Sequence, residues 1–356
     1  MAAVAMDVPR AFSSPDEMRA FLADKTVEAV KRIAEDHFKR QELADPSHLH
    51  FSREAALDAL RGGVWYSTDY IAAFRKLNKH LKEINQPLKP ADLAGLAPLS
   101  NLKYVSKGNA PSAYFAPTGN VLVWRAKPDV SASDALDAAL AGPTLTDCGG
   151  ACNLARHKAL RDLLGKERYD KIFRGRLFIG YPRVDYLDLF TKTSTQNAKG
   201  KYEMRRGNKV LFKNNELYVL KHPFGICQAY HMVYAGQGQY VSIGVPPGGY
   251  TIPQTVALLR DDFNKPINRR LDGMICDDEM ALLLSGQSEE CLLSKDVQIA
   301  TEQVPGLALD KTEEFDLARI ESVLKFQPDD LTDAALRKLF PELAQMIEIA
   351  DSKEHS

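Results

Sequence analysis

The sequence has no surplus of charge, no dense cysteine pattern and no long apolar run, and each lack removes a class of function. Lys plus Arg total 46 against 47 for Asp plus Glu, a net charge of −1. Near neutrality offers no field for a polyanion, so nucleic acid is not an expected partner. Five cysteines in 356 residues are an odd number without close spacing, which makes reduced thiols the default rather than a disulfide framework. There is no Cys-x-x-Cys or His-x-x-x-His pair. Cys276 and Cys291 stand apart, and His48 and His50 lie in a polar stretch, so neither a metal nor any other cofactor is expected. No segment is long and apolar enough to span a bilayer, and Met1 to Arg10 lacks the basic start and apolar centre of an export signal. The expectation is a protein without membrane contact, made and retained in the cytoplasm or delivered by a route that needs no signal peptide.

What is present is a small-residue loop that hands a cysteine to a helix, Thr146-Asp147-Cys148-Gly149-Gly150-Ala151-Cys152-Asn153-Leu154-Ala155. Leu154, Ala155, Ala159, Leu160, Leu163 and Leu164 recur at helical spacing, and Gly165 marks the stop. The first free N–H groups of a helix and its positive end favour a thiolate, the reactive form of cysteine. The backbone N–H groups of Cys148 and Gly149 are the candidate oxyanion donors for an attacked carbonyl. Cys148 is therefore the candidate nucleophile. Cys152, one turn on, is the second candidate, with a core position as its simpler account.

The rest of the chain predicts an α+β fold in three parts. Residues 1–100 form a helical region, with an N-cap at Ser14 and helices at Ser52 to Leu60 and Asp69 to Ile84. Residues 101–270 carry the chemistry, and 271–356 form a mainly helical region with two helices between Phe315 and Ile349, divided near Pro328. In the middle part, Val121 to Trp124 reads as a strand, Ser131 to Leu140 as a helix, Thr191 to Lys201 as a polar loop, and Lys209 to Phe212 as a strand followed by an extended segment, Glu216 to Leu220. Tyr230 to Ala235, the turn Gly236-Gln237-Gly238 and Gln239 to Gly244 make a hairpin. Strand alternation puts His231, Val233 and Ala235 on one face, and Tyr230, Met232 and Tyr234 on the other. His231 on the face toward Cys148 would complete a cysteine–histidine pair, with His222 and His157 as competitors for that role.

These residues resemble two families. Asp147-Cys148-Gly149-Gly150 resembles the Asp-Cys-Ser-Gly signature of NlpC-type cell-wall cysteine peptidases, and Gly207 to Phe212 their following strand. Lys158-Ala159-Leu160-Arg161-Asp162, Gly165, Tyr169 to Phe173 and Phe212-Lys213-Asn214 resemble the bacterial spore protein-glutamine transglutaminases, and Ile252 to Asn264 resembles the helix after their hairpin. The resemblance spans Asp147 to Asn264, roughly a third of the chain. It implies a papain-like core, a cysteine-bearing helix packed on an antiparallel sheet, flanked by helical regions. It further implies a cysteine acyltransferase in which Cys148 attacks a glutamine carboxamide of a protein or peptide, and the thioester passes to a lysine or other amine, or to water. In this pattern His231 moves the proton, and Phe212, Tyr230 and Tyr240 supply apolar walls at the substrate. The essential acidic position of the transglutaminases falls on Tyr230, and the third catalytic position on Ser242 or Ile243, so Ser242 is the candidate to orient His231. Peptide or amide hydrolysis and a non-catalytic interaction protein on the same scaffold are the alternatives.

Overall fold

The computed structural model describes residues 12–43, 52–89, 113–117, 123–180, 184–196, 201–215, 218, 222, 226–265 and 309–351. His48, His50, Cys276, Cys291 and nearly all of Glu216 to Leu220 lie outside them. Helix α1 (Pro15–Leu43) opens where the backbone N–H of Glu17 donates to Ser14 Oγ. It is followed by α2 (Arg53–Leu60), β1 (Val64–Tyr66) and α3 (Ser67–Glu83). Then come β2 (Phe115–Pro117), β3 (Trp124–Ala126), α4 (Ala132–Ala141), β4 (Thr144–Thr146), α5 (Cys148–Leu164), α6 (Lys166–Phe173) and β5 (Phe178–Ile179). The second half supplies β6 (Thr191–Thr193), β7 (Lys209–Lys213), β8 (Ala229–Gly236), β9 (Gln239–Val241), α7 (Ile252–Asn264) and β10 (Leu309–Phe315). Helices α8 (Leu317–Leu324), α9 (Asp333–Leu339) and α10 (Leu343–Asp351) end the described chain. Among the described residues no helix is long and apolar enough to cross a membrane.

Helix α5 is the axis of the molecule. Leu154, Ala155, Ala159, Leu160 and Leu163 are all buried, because α1 lies along one side of it and β8 crosses another. Small residues in its first turns let both neighbours approach. A Cβ placed on Gly150 would stand 2.0 Å from Thr146 Oγ1, so the second glycine after Cys148 is what lets the helix start directly against β4.

The main sheet is antiparallel in the order β6-β10-β7-β8-β9. Two smaller sheets join β1 to β4 in parallel and β2 to β5 through β3. Leu22, Val27 and Val30 of α1 share one core with Leu160 and Met232, while α2, β1 and α3 close a second core around Trp65 and Tyr70. Two expectations change here. The last part puts β10 inside the sheet between β6 and β7, and Phe315 ends a strand rather than opening a helix. Thr191 to Thr193, read as loop, is the edge strand beside β10.

Candidate functional site

Cys148 is the first residue of α5, and Asp147 caps the helix by accepting from the N–H of Gly150 at 2.7 Å. Its sulphur lies where the main sheet runs out. Strand β9 pairs with β8 only from Val233 to Gly236, so β8 has no ladder partner on that side at His231. The backbone N–H of His231 turns to that open side and donates to Cys148 Sγ at 3.3 Å. The thiol thus takes the N–H that two more residue pairs of β9 would have engaged.

In this conformation His231 meets the sulphur through its backbone N–H. Its register partner is Leu211, which pairs in turn with Lys311. The charges bearing on the ring are those of Lys209, Glu313 and Lys311. Burial first, then the two lysines, push the imidazole down to about 3, so it is neutral near pH 7. Ser242 does not orient it, since Ser242 Oγ lies 3.7 Å from Cys152 Sγ. The competing histidines are engaged elsewhere: His222 Nε2 faces the Phe263 carbonyl at 3.0 Å, and His157 Nδ1 meets the Tyr169 hydroxyl at 2.9 Å.

Of the side chains around the thiol, Tyr66 is the one whose hydroxyl comes within hydrogen-bonding range of it, with Tyr230 behind, whose own hydroxyl donates to the Ile243 carbonyl at 2.6 Å. Their rings sit 6.5 Å apart. Gly244 lets the loop after β9 close over them, since a Cβ there would lie 2.6 Å from the Tyr66 ring and 2.8 Å from the Tyr230 hydroxyl. Of the three residues expected as substrate walls, only Tyr230 stands at the cysteine. Phe212 and Tyr240 pack edge to face at 5.2 Å within the core. Nothing in the sequence flagged Tyr66, which arrives through the parallel pairing of β1 with β4, and a three-residue strand carries too little pattern to announce such a contact.

The electrostatics run against a resting thiolate. Cys148 is only 4 % exposed, and burial, reinforced by the Asp147 carboxylate, pushes its thiol from 9.0 up to about 12 against the opposing bonds from His231 and Tyr66. That rise corresponds to on the order of 4 kcal/mol, more than the 0.3–1 kcal/mol or so that a helix N-terminus gives a charge. Asp147, itself raised by burial to about 6, adds negative charge beside the sulphur above that pH. Cys152, fully buried, is raised to about 11. Alkylation of Cys148 in the folded protein should therefore keep accelerating with pH by about tenfold per unit well past pH 9, whereas an exposed thiol levels off near 8.5–9. Iodoacetamide labelling read peptide by peptide in a mass spectrometer checks this, and a plateau near pH 8 would contradict the buried, protonated thiol.

Among the described residues no three His, Cys, Asp or Glu side chains gather as metal ligands would. No protein-family model and no curated protein matches the chain. Among solved structures it is similar to a transglutaminase from Geobacillus stearothermophilus without its C-terminal extension, at 13 % identity and a TM-score of 0.44, over 89 % of this chain and 100 % of that one.

Proposed function

We propose that the protein is a cysteine-dependent acyltransferase acting on glutamine carboxamides in proteins or peptides. The observation that carries this reading is the placement of Cys148, first residue of a capped central helix, with its sulphur against the backbone N–H of His231 and the Tyr66 hydroxyl in range of it. In the reaction the sulphur adds to the carboxamide carbon, the C–N bond breaks, and the thiol proton leaves with the nitrogen as ammonia. The thioester then passes its acyl group to a primary amine, such as a lysine side chain, giving an amide and the free thiol; water in place of the amine gives deamidation. Tyr66, whose hydroxyl is in hydrogen-bonding range of the sulphur, is the side chain that would pass the proton from sulphur to departing nitrogen. At 4 % exposure Cys148 meets a substrate only after a neighbouring group moves aside. This chemistry calls for no cofactor.

The second reading is a non-catalytic interaction protein on the same scaffold. It is favoured by the thiol held near 12 and by Ser242 resting on Cys152 rather than on His231.

The two readings separate on incubation of the protein, and of its Cys148→Ala variant, with a glutamine-rich unfolded protein and a fluorescent primary amine. Label incorporation lost in Cys148→Ala is the expected result and means transamidation. Ammonia released without label, again lost in the variant, means deamidation by the same thioester. Neither signal from the folded wild-type protein leaves the non-catalytic scaffold, or hydrolysis of another amide, in its place.

A further inference from the structure

A cavity of about 470 Å³ opens away from Cys148, between α1, the start of β1, α4 and α5. That volume is in the range of small-ligand sites. Its apolar wall is formed by Ile33, Val64 and Leu140. At one end Arg32 and Arg40 share a single carboxylate, Asp36, each through a loose contact of 3.9 Å that is too long for a hydrogen bond. Arg40 is three-quarters buried, and its Nη1 packs against Gly63 with no hydrogen-bond acceptor. The other carboxylates on the wall are closely paired: Glu28 with Lys25, Asp162 with Lys158, and Asp137 with Arg161. With Asp137 held by Arg161 from outside the cavity, the loosely compensated charge is the pair of guanidinium groups at the arginine end, which share one carboxylate.

We infer that this cavity binds a small organic anion, with its carboxylate or phosphate against Arg40 and Arg32 and its apolar body along Ile33, Val64 and Leu140. Guanidinium groups pair with both kinds of anion through parallel N–H bonds, and a partly buried one gains more from pairing than an exposed one. The inference is independent of the chemistry assigned to Cys148.

Calorimetric titration of the whole chain with phenyl phosphate, benzoate and, as the neutral control, benzyl alcohol tests it. Saturable one-site binding of at least one anion, with the alcohol weaker by about tenfold or more, is the expected result. Whichever anion binds more tightly identifies the head group. Arg40→Gln should weaken that binding by about tenfold or more and Arg32→Gln by a smaller factor. Arg32 is mostly in solvent, so its variant folds and keeps the test valid if Arg40→Gln does not. Absence of saturation by both anions up to about 10 mM, or binding that neither substitution weakens, would overturn the inference.

Discussion

Glu313→Ala should lower stability by about 3–5 kcal/mol, the cost of breaking a buried ion pair from one side. Glu313 lies on β10 and receives Arg156 of α5 at 3.0 Å, Lys311 at 2.8 Å and Lys209 of β7 at 3.8 Å. Arg156 is 1 % exposed, and its Nε and Nη2 have no hydrogen-bond partner, so its charge is balanced almost wholly by this carboxylate. Without Glu313 a guanidinium and a nearly buried ammonium remain out of water. Burial alone would raise the Glu313 carboxyl, but Lys209, Arg156 and Lys311 outweigh it and hold the group well below its ordinary 4.5. Because the folded-state pKa is depressed, the stabilisation is full above the unfolded-state pKa and is lost as pH falls through the folded-state value. The gap in urea midpoint between wild type and Glu313→Gln should therefore be wide at pH 7 and narrow progressively below about pH 4.5. An equal gap at pH 7 and pH 3 would mean that the carboxylate is not bound up with those cations. The double variant Arg156→Met with Glu313→Leu should be less destabilised than either single loss, since no charge is then left unpaired.

Trp65→Ala should cost a similar 3–5 kcal/mol or so and, unlike the Glu313 change, should loosen the cysteine site as well. Trp65 is fully buried, its ring meets His37 at 5.3 Å and Tyr70 at 5.6 Å, and its Nε1 donates to the Gly62 carbonyl at 2.7 Å. It fastens β1 to the second core, and the next residue is Tyr66, whose hydroxyl bonds to Cys148. Removing the indole leaves a cavity at the base of that strand. The denaturant midpoint should fall, and Cys148 should be alkylated faster than in wild type under conditions where the protein remains folded. Trp65→Phe, which keeps an aromatic ring there, should lose less on both measures. A destabilised Trp65→Ala with unchanged Cys148 labelling would show that Tyr66 holds its place without the second core.

Much of the local structure is legible in the residues because local signals agree with the packing. Thr251 and Gln254 form a capping box, and α7 runs over Ile252–Asn264 as expected. The glycine turn of the hairpin and the Asp147 cap with Gly165 stop around α5 are of the same kind. Long-range placement is what the sequence conceals. The strand Leu309-Asp310-Lys311-Thr312-Glu313-Glu314-Phe315 has too much charge to read as an inner strand, and its glutamates meet their partners Arg156, Lys209, Lys192 and Arg205 only through the fold. Alternation correctly divides Tyr230 from His231, but the thiol lies off the edge of β8 rather than above one face. It is therefore the N–H of His231 that reaches it. The departure at Tyr230 was the available signal that a tyrosine stands there.

The place of β10 bears on the order in which the protein can be built. Its neighbours β6 and β7 are both synthesised well before it, and neither has another partner on the side that β10 fills. Until Phe315 has left the ribosome tunnel, the nascent chain holds two facing strand edges with a gap one strand wide, and Arg156 lacks its counter-charge. Such edges are open to pairing with other chains. Completion of the sheet waits for β10, and the interval before it is when this chain is most exposed to misassembly.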